Sequence, residues 1–438
     1  MSDTHAQTVA FVRDTMTEQR EPPLSQSGAY KWMRENLLST PLNVILTLVS
    51  VWLIYSVLSH VMPWAVFGIW DASSLSECRT IRDELYGADA NVACWAVISE
   101  RWKQLLFGFY PPEHYWRPVL AFVLFLVAIS PVLFSSLPRK LLAFSVVAPF
   151  ILFWLIWGGT IWGPICVALG FVIGWAIIRY ASPYIGALGS VILAIVVPLL
   201  YWFVLAGPLD DLLASILPIG LEQVQSKQMG GFMLAMIIGI SGIALSLPLG
   251  IVLALGRQSD LFLINKCSVI FIEVIRGVPL IVWLFTASLL LNYFLPPGTN
   301  FDLMLRVIIM VTLFSSAYIA EVVRGGLAAL PKGQYEAADA LGLDYWKSMR
   351  LVILPQALKI SIPGIVNTFI GLFKDTTLVV FIGLLDPIGL SNAIRASTEW
   401  NGIYWELFVF IGLCFFIFCF SMGRYSLFLE KKLRREHR

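Results

Sequence analysis

Apolar runs long enough to cross a bilayer recur along the chain at 42–62, 118–136, 141–158, 162–178, 187–206, 231–254, 268–294, 303–324, 356–384 and 404–423. A transmembrane helix needs roughly 20 such residues, and polar stretches at 1–40, 68–117, 207–230 and 325–350 divide the runs into groups. The third and fourth runs are separated only by Gly158-Gly159 and Trp162-Gly163-Pro164, which reads either as one kinked segment or as two short spans. The pattern predicts an all-α polytopic membrane protein with about ten transmembrane helices, or about eight if two of runs three to five do not cross. Between the fifth and sixth runs, 207–230 is polar to amphipathic (Asp210, Asp211, Pro218, Glu222, Lys227). Its apolar positions Leu212, Leu213, Ile216 and Leu221 predict a short helix lying on the membrane surface.

Composition names the solvent. Of 438 residues, 58% are hydrophobic and 13% charged, with a mean hydropathy of +0.80. Soluble domains carry roughly 45–50% and about 25%, so a soluble enzyme, a nucleic-acid binder and a disordered scaffold are all excluded. The four histidines (His5, His60, His114, His437) form no H-E-x-x-H pattern, and no G-x-x-x-x-G-K-[ST] loop occurs. Neither a metal site nor an ATPase site of its own is expected. The polar tail 1–40, with an aromatic anchor at Trp32, precedes the first apolar run near Leu42, so no cleavable signal peptide is expected.

Charge sets the orientation. Lys and Arg gather in the C-terminal tail (Arg424, Lys431, Lys432, Arg434, Arg435, Arg438) and in the short loops at Arg139-Lys140, Arg179, and Arg257 with Lys266. The positive-inside tendency places both chain ends in the cytoplasm. The loop 68–117, with five Lys/Arg against seven acids, then lies outside. Cys166, Cys267, Cys414 and Cys419 fall in apolar runs and read as packing thiols. Cys78 and Cys94 sit in the exterior loop, in an oxidising compartment. Bridged, they would close a loop of ~15 residues worth roughly 3 kcal/mol; unbridged, they are two free thiols.

The most informative polar stretch runs Gly333-Gln334-Tyr335-Glu336-Ala337-Ala338-Asp339-Ala340-Leu341-Gly342 and continues to Val352-Ile353-Leu354-Pro355. Residues 334–341 predict a short helix whose small face (Ala337, Ala338, Ala340, Leu341) another surface can approach closely. Gly342 is placed to end it in a left-handed turn. Asp344 caps a second helix over 345–351, and Pro355 breaks or kinks the chain beyond it. The shape is a knob of two short helices.

Glu336-Ala337-Ala338-x3-Gly342-x9-Val352-x-Leu354-Pro355 resembles the EAA loop of ABC importer permeases, with Val352 where Ile is usual. Three further stretches resemble the polar amino acid permeases: Glu273-Val274-Ile275-Arg276-Gly277-Val278-Pro279-Leu280, Ala317-Tyr318-Ile319-Ala320-Glu321-Val322-Val323-Arg324-Gly325-Gly326, and Lys374-Asp375-Thr376-Thr377-Leu378. The N-terminal extension, with Cys94-Trp95-Ala96-Val97-Ile98 in its exterior loop, resembles the larger permease subunit of general L-amino acid importers. The resemblance implies that Glu336, Ala337, Ala338, Gly342 and Pro355 belong to the loop that couples the permease to a separate ATPase. It implies as partners an ATP-binding subunit dimer, a second and smaller permease subunit and a periplasmic amino-acid-binding protein. No cofactor is expected in this chain, since ATP and Mg would sit on the ATPase. The implied location is the bacterial inner membrane.

Ionisable residues inside a membrane are costly and mark pathways by default. Glu273 and Arg276, and again Glu321 and Arg324, are one helical turn apart and can pair, either as structural ion pairs or along the substrate path. Gly277-Val278-Pro279 predicts a broken span, and irregular backbone at membrane depth is tolerated where it lines a cavity; the gate is sought there. Lys374, Asp375, Thr376 and Thr377 could meet a zwitterionic amino acid or neutralise one another. Ser315, Ser316 and Tyr318 are lesser candidates, since small hydroxyl residues often simply pack helices.

The organisation expected is a cytoplasmic tail (1–40), a transmembrane extension (41–206), the amphipathic segment (207–230), a permease domain (231–425) holding the 331–355 loop, and a basic tail (426–438). The function expected is inward, ATP-driven transport of L-amino acids. The competing reading, a carrier driven by an ion gradient, calls for inverted repeats. Yet the charged, Gly/Pro-broken elements all fall in the C-terminal half.

Overall fold

The computed structural model describes residues 28–134, 136–290 and 302–435. The polar tail before Gly28, the end of the run predicted to reach 294, and the last three residues of the basic tail lie outside them. The chain divides into two compact units.

Among the described residues, the first unit comprises 28–69 and 81–93. Helix α1 (Gly28–Asn36) is followed by α2 (Pro41–Val66), whose entry is fixed by proline at its first turn and by the Thr40 hydroxyl accepting the Asn43 N–H at 3.2 Å. Ala93 is tied in twice, accepting from the Ile69 N–H at 2.8 Å and donating to the Trp64 carbonyl at 2.9 Å.

Among the described residues, the second unit comprises 70–80, 94–134, 136–290 and 302–435. It opens with the first half of α3 (Leu75–Tyr86) and with α4 (Ala96–Phe107). Then come α5 (Trp116–Leu133), α6 (Leu141–Trp157) and α7 (Trp162–Val204). The ambiguity at Gly158-Gly159 resolves into two helices. Between them strand β1 (Gly159–Thr160) pairs antiparallel with β2 (Gly220–Leu221). The segment 207–230 is therefore not one surface helix. It holds α8 (Ala206–Ile216), bent by 52° from the helix before it, then β2 and a 3₁₀ turn at Ser226–Gln228. Leu221 lies on the strand. Within α7, Gly186 at φ 74° reverses the chain, and the two arms lie side by side, Trp202 Nε1 donating to the Val167 carbonyl at 3.1 Å.

The C-terminal half contains α9 (Gly231–Arg257), α10 (Phe262–Gly277), α11 (Leu280–Phe285, continued by a π turn over Thr286–Leu290) and α12 (Leu303–Ala328). It goes on through α13 (Lys332–Ala340), α14 (Tyr345–Ser348), a π turn (Met349–Ile353), α15 (Leu354–Asp375) and a 3₁₀ segment (Thr376–Ile382). It closes with α16 (Pro387–Arg395) and α17 (Trp405–Arg435). Helices α9 and α12 form its spine. At Gly250 the two approach so closely that an added Cβ would fall 2.6 Å from Ile319 Cγ2 and 3.0 Å from the Ser316 carbonyl.

Among the described residues seven helices are long and apolar enough to cross a membrane, and nine if each of two bent pairs counts as one span. The seventh predicted run is the sharper of those pairs. Helices α10 and α11 meet at 101° across Val278-Pro279, where proline supplies no N–H to continue the first helix. Helix α6, with 17 residues, is the short apolar helix that separates this count from ten.

Pro355 neither breaks nor ends its helix. Tyr345–Ile382 is one helical run of 38 residues, and the π turn over Met349–Ile353 precedes the proline. A proline ring crowds the carbonyl four residues back, and a wider turn relieves that clash.

Candidate functional site

The knob stands at the end of the bundle where α12 finishes. Helix α13 closes with Gly342 in the left-handed conformation, φ 69°. The Leu343 N–H returns to the Ala338 carbonyl at 3.2 Å, and the Gly342 N–H to the Asp339 carbonyl at 2.9 Å. This is a Schellman turn, satisfying carbonyls that the helix end would leave bare. The Asp344 carboxylate then accepts the Lys347 N–H at 2.9 Å to start α14. That bond, with the Lys347 ammonium at 3.0 Å, holds its carboxyl below the usual range.

The small face divides. Ala338 is 1% exposed, buried against this chain, so it seats the knob on its own bundle and leaves close outside approach to Ala337 and Ala340, both exposed. Glu336 is exposed as well. Gln334 and Gln356 pair at 2.9 Å, and the Tyr335 hydroxyl reaches the Leu327 carbonyl at 3.5 Å, fastening α13 to α15 and α12. Outward stand Leu341 (76% exposed), Tyr345 and Trp346 (72%). Sequence pattern does not single out these aromatics, because nothing in the spacing says which way they face. Two open clefts flank the base. One of 510 Å³ is lined by Gln258, Tyr335, Asp339, Tyr345, Ser348 and Met349, and another of 340 Å³ includes Leu255, Trp346, Arg350 and Pro355.

About two turns back from the end of α12 lies a charge cluster. The pairing of Glu273 with Arg276 expected from spacing is not the one formed. Glu321 instead gathers three arginines: Arg257 of α9 at 2.5 Å, Arg324 at 3.1 Å and Arg276 of α10 at 3.8 Å. Arg257 also reaches Glu273 at 2.9 Å. Arg276 lies over the Tyr318 ring, 5.4 Å from its centroid, and its Nε is buried without a hydrogen-bond partner. Arg257 ends its helix as an ordinary last-turn cation, so its central role is invisible in sequence. Gly277 and Pro279 lie at the bend just beyond.

The remaining candidates are placed elsewhere. Ser316 is fully buried between α9 and α12, its hydroxyl donating to the Leu313 carbonyl at 2.7 Å. Ser315 is buried with no partner for its hydroxyl. At the far end of α15, Lys374 is exposed and Asp375 half-buried. The Thr376 and Thr377 hydroxyls donate to the Phe373 and Lys374 carbonyls at 2.7 and 2.9 Å, so both serve their own helix.

The opposite end of the bundle carries a disulfide between Cys78 and Cys94, with Cα atoms 6.1 Å apart. The Glu406 carboxylate, buried at the start of α17, accepts the Cys94 N–H at 2.9 Å across 312 residues of sequence. Nearby in the chain, Asp386 is fully buried and caps α16, accepting from Gly389 N at 2.8 Å and Ile388 N at 3.2 Å. Burial pushes its carboxyl up to about 6, with those N–H groups pulling the other way.

The geometry is that of a multi-pass helical membrane protein, with ion pairs joining its helix ends and a rigid knob projecting from one face. Comparison with known proteins gives the family. The model for "Binding-protein-dependent transport system inner membrane component" matches residues 246–435. The chain is 57% identical, over the full length of both proteins, to the glutamate/glutamine/aspartate/asparagine transport system permease protein BztC of Rhodobacter capsulatus. It is 40% identical, over 93% of this chain and 94% of the other, to the inner membrane amino-acid ABC transporter permease protein YhdY of Escherichia coli. A crystal structure of an amino acid ABC transporter with histidines matches 45% of this chain and 90% of its own at 30% identity, TM-score 0.41. The chain belongs to the amino-acid ABC transporter permeases, multi-pass components of the inner membrane.

Proposed function

We propose that this chain is a permease subunit of an ATP-driven importer carrying amino acids of the glutamate, glutamine, aspartate and asparagine class into the cytoplasm. The substrate class rests on the activity for which the full-length relative is named. One structural observation carries the coupling mechanism: an exposed apolar knob, Leu341, Tyr345 and Trp346, set on a Schellman turn and stapled to α12 and α15. Exposed aromatics next to open clefts are the anchors of protein interfaces. The partner is a dimeric ATPase, which holds the ATP and Mg; the chain's own part is to receive its motion. Glu336 lies on the same surface for a basic or backbone group of that partner. The knob face is cytoplasmic, the disulfide face is outside, and both chain termini are cytoplasmic. One knob serves one half of a pore, so a second, smaller permease completes it, and an exterior binding protein delivers substrate. Motion of the knob passes along α12 to the Glu321 cluster and the bend at Gly277-Pro279, where the path opens. Lys374 and Asp375 then lie nearer the outside, beside the path.

The test pairs uptake with assembly. In proteoliposomes holding the complete complex, uptake of labelled glutamate or glutamine should require ATP and survive a protonophore. Trp346→Ala with Leu341→Asp should abolish ATPase co-purification and uptake together while the chain stays folded and membrane-inserted. Uptake that continues without the ATPase and collapses with the proton gradient would establish a gradient-driven carrier instead.

A further inference from the structure

Helix α5 (Trp116–Leu133) and the stretch of α17 from Trp405 to Arg424 each rise roughly 30 Å, the thickness of a bilayer's hydrocarbon core. Where they reach that length they touch. The Tyr425 hydroxyl donates to the Leu133 carbonyl at 2.6 Å across 292 residues of sequence, and the Tyr425 and Phe134 rings meet edge to face with centroids 6.0 Å apart. Further from this end Phe122 meets Phe418 in the same way at 6.5 Å, so the two helices run side by side and finish at one depth.

Four cations gather at this seam. Arg139 and Lys140 lie in the turn from α5 to α6, which is tightened by the Leu137 N–H donating to the Phe134 carbonyl at 3.2 Å. Arg424 precedes Tyr425, and Lys431 follows about two helical turns later on the same face of α17. All four are exposed, and among the described residues none of their side chains forms an ion pair. Glu430 lies about 100° further round the helix from Lys431. Exposed apolar side chains flank the cations, Val132 and Phe134 on one wall, Phe420 and Phe428 on the other.

Cations in cytoplasmic loops satisfy the topological bias wherever they fall, and that bias asks for neither convergence nor a shared apolar wall. Here two distant stretches of sequence bring unpaired cations together at headgroup depth. A lipid phosphate supplies the missing negative charge there, and its acyl chains cover the apolar walls. An acidic soluble protein would meet the cations alone, because Val132 and Phe420 stand within the spanning length of their helices.

Resting on the cytoplasmic placement of the C-terminal end proposed above, we infer that the notch between the α5–α6 turn and α17 is a binding site for an anionic phospholipid of the inner leaflet. The headgroup lies among Arg139, Lys140, Arg424 and Lys431 and splints the N-terminal extension to the last helix of the permease domain. Helix α17 packs in turn on Phe373 of α15 through Phe415 and Phe418, so the splint reaches the helical run that carries the knob.

The experiment reconstitutes the complete complex in vesicles of equal parts phosphatidylcholine and phosphatidylglycerol, re-extracts it in mild detergent and reads retained lipid by native mass spectrometry. Wild type should retain phosphatidylglycerol in preference to phosphatidylcholine. Arg139→Gln, Lys140→Gln, Arg424→Gln and Lys431→Gln together should lower that retention about tenfold. Tyr425→Phe keeps all four cations but unties the seam, and should lower it about threefold. Arg179→Gln with Lys266→Gln, which removes cations of other cytoplasmic loops, should leave it unchanged. Equal loss in this last variant overturns the inference, since it reduces the effect to diffuse attraction by a positive face. Equal retention of the two lipids by wild type overturns it too, as does a fourfold variant that keeps its lipid but loses the ATPase, which would make the patch a subunit contact. Retention is read without reference to sidedness; labelling of Lys431→Cys from outside intact cells by an impermeant thiol reagent overturns the orientation, and the leaflet with it, while leaving retention unchanged.

Discussion

Glu321 carries more of the charge balance than any other acid in the permease domain, because Arg257, Arg276 and Arg324 all lie within 4 Å of its carboxylate. Removing one partner of a largely buried ion pair leaves the others uncompensated. Glu321→Gln should cost roughly 3 kcal/mol and lower the detergent melting temperature. Arg257→Gln should cost less, since Glu321 keeps Arg324. Equal shifts for the two would contradict a carboxylate-centred cluster. At the other face, Asp386 titrates near 6 in the folded chain, above its unfolded value of 3.8. The folded state therefore binds its proton more tightly, so stability falls as pH rises from 4 through 6. The loss is about 3 kcal/mol at most, the free-energy equivalent of raising the carboxyl that far. Asp386→Asn keeps an oxygen to cap α16 and should flatten that slope in denaturation measured across this range. A wild-type slope surviving in the variant would point to another group.

Individual helices obey local rules that the sequence displays openly, and they depart from them where a distant partner intervenes. The Schellman turn was legible because Gly342 follows a run of good helix formers, and the bend at Pro279 because proline cannot extend a helix. With open space around its Cβ position, Gly342→Ala meets only backbone strain, about 1–2 kcal/mol. It should tilt α13 against α14 and reduce ATP-coupled uptake without unfolding the bundle, with Gly342→Asn closer to wild type. Full uptake by the alanine variant would mean that the angle of the knob is not critical. Pro355 was misleading, because a π turn takes up its clash and the pattern of apolar positions does not encode such a turn. The Glu273–Arg276 pairing failed for a related reason. Spacing along one helix allows a pair, but Arg257 and Glu321 on neighbouring helices offered shorter bonds.

Across the whole chain, hydropathy revealed the solvent and most of the helices, since lipid demands long unbroken apolar runs. It could not reveal Gly186 turning α7 back on itself, the two-residue strands that pair 159–160 with 220–221, or Glu406 reaching Cys94. Each of these joins residues far apart in sequence. The disulfide closes a loop of 16 residues and should contribute roughly 3 kcal/mol by restricting the unfolded chain. Reduction or Cys78→Ser with Cys94→Ser should lower the melting temperature of the second unit. No change on reduction would show that the packing of α4 suffices alone.

The unbroken run Tyr345–Ile382 has a mechanical meaning. With 38 residues at about 1.5 Å each, it is a lever roughly 55 Å long. Its short end is the knob, and its long end carries Lys374 and Asp375. A tilt of about 5° at the knob would swing the far tip by about 5 Å over that length. The π turn over Met349–Ile353 lies next to the knob and the 3₁₀ segment Thr376–Ile382 at the far tip, so the α-helical stretch Leu354–Asp375 between them is the part that would carry a tilt from one end to the other.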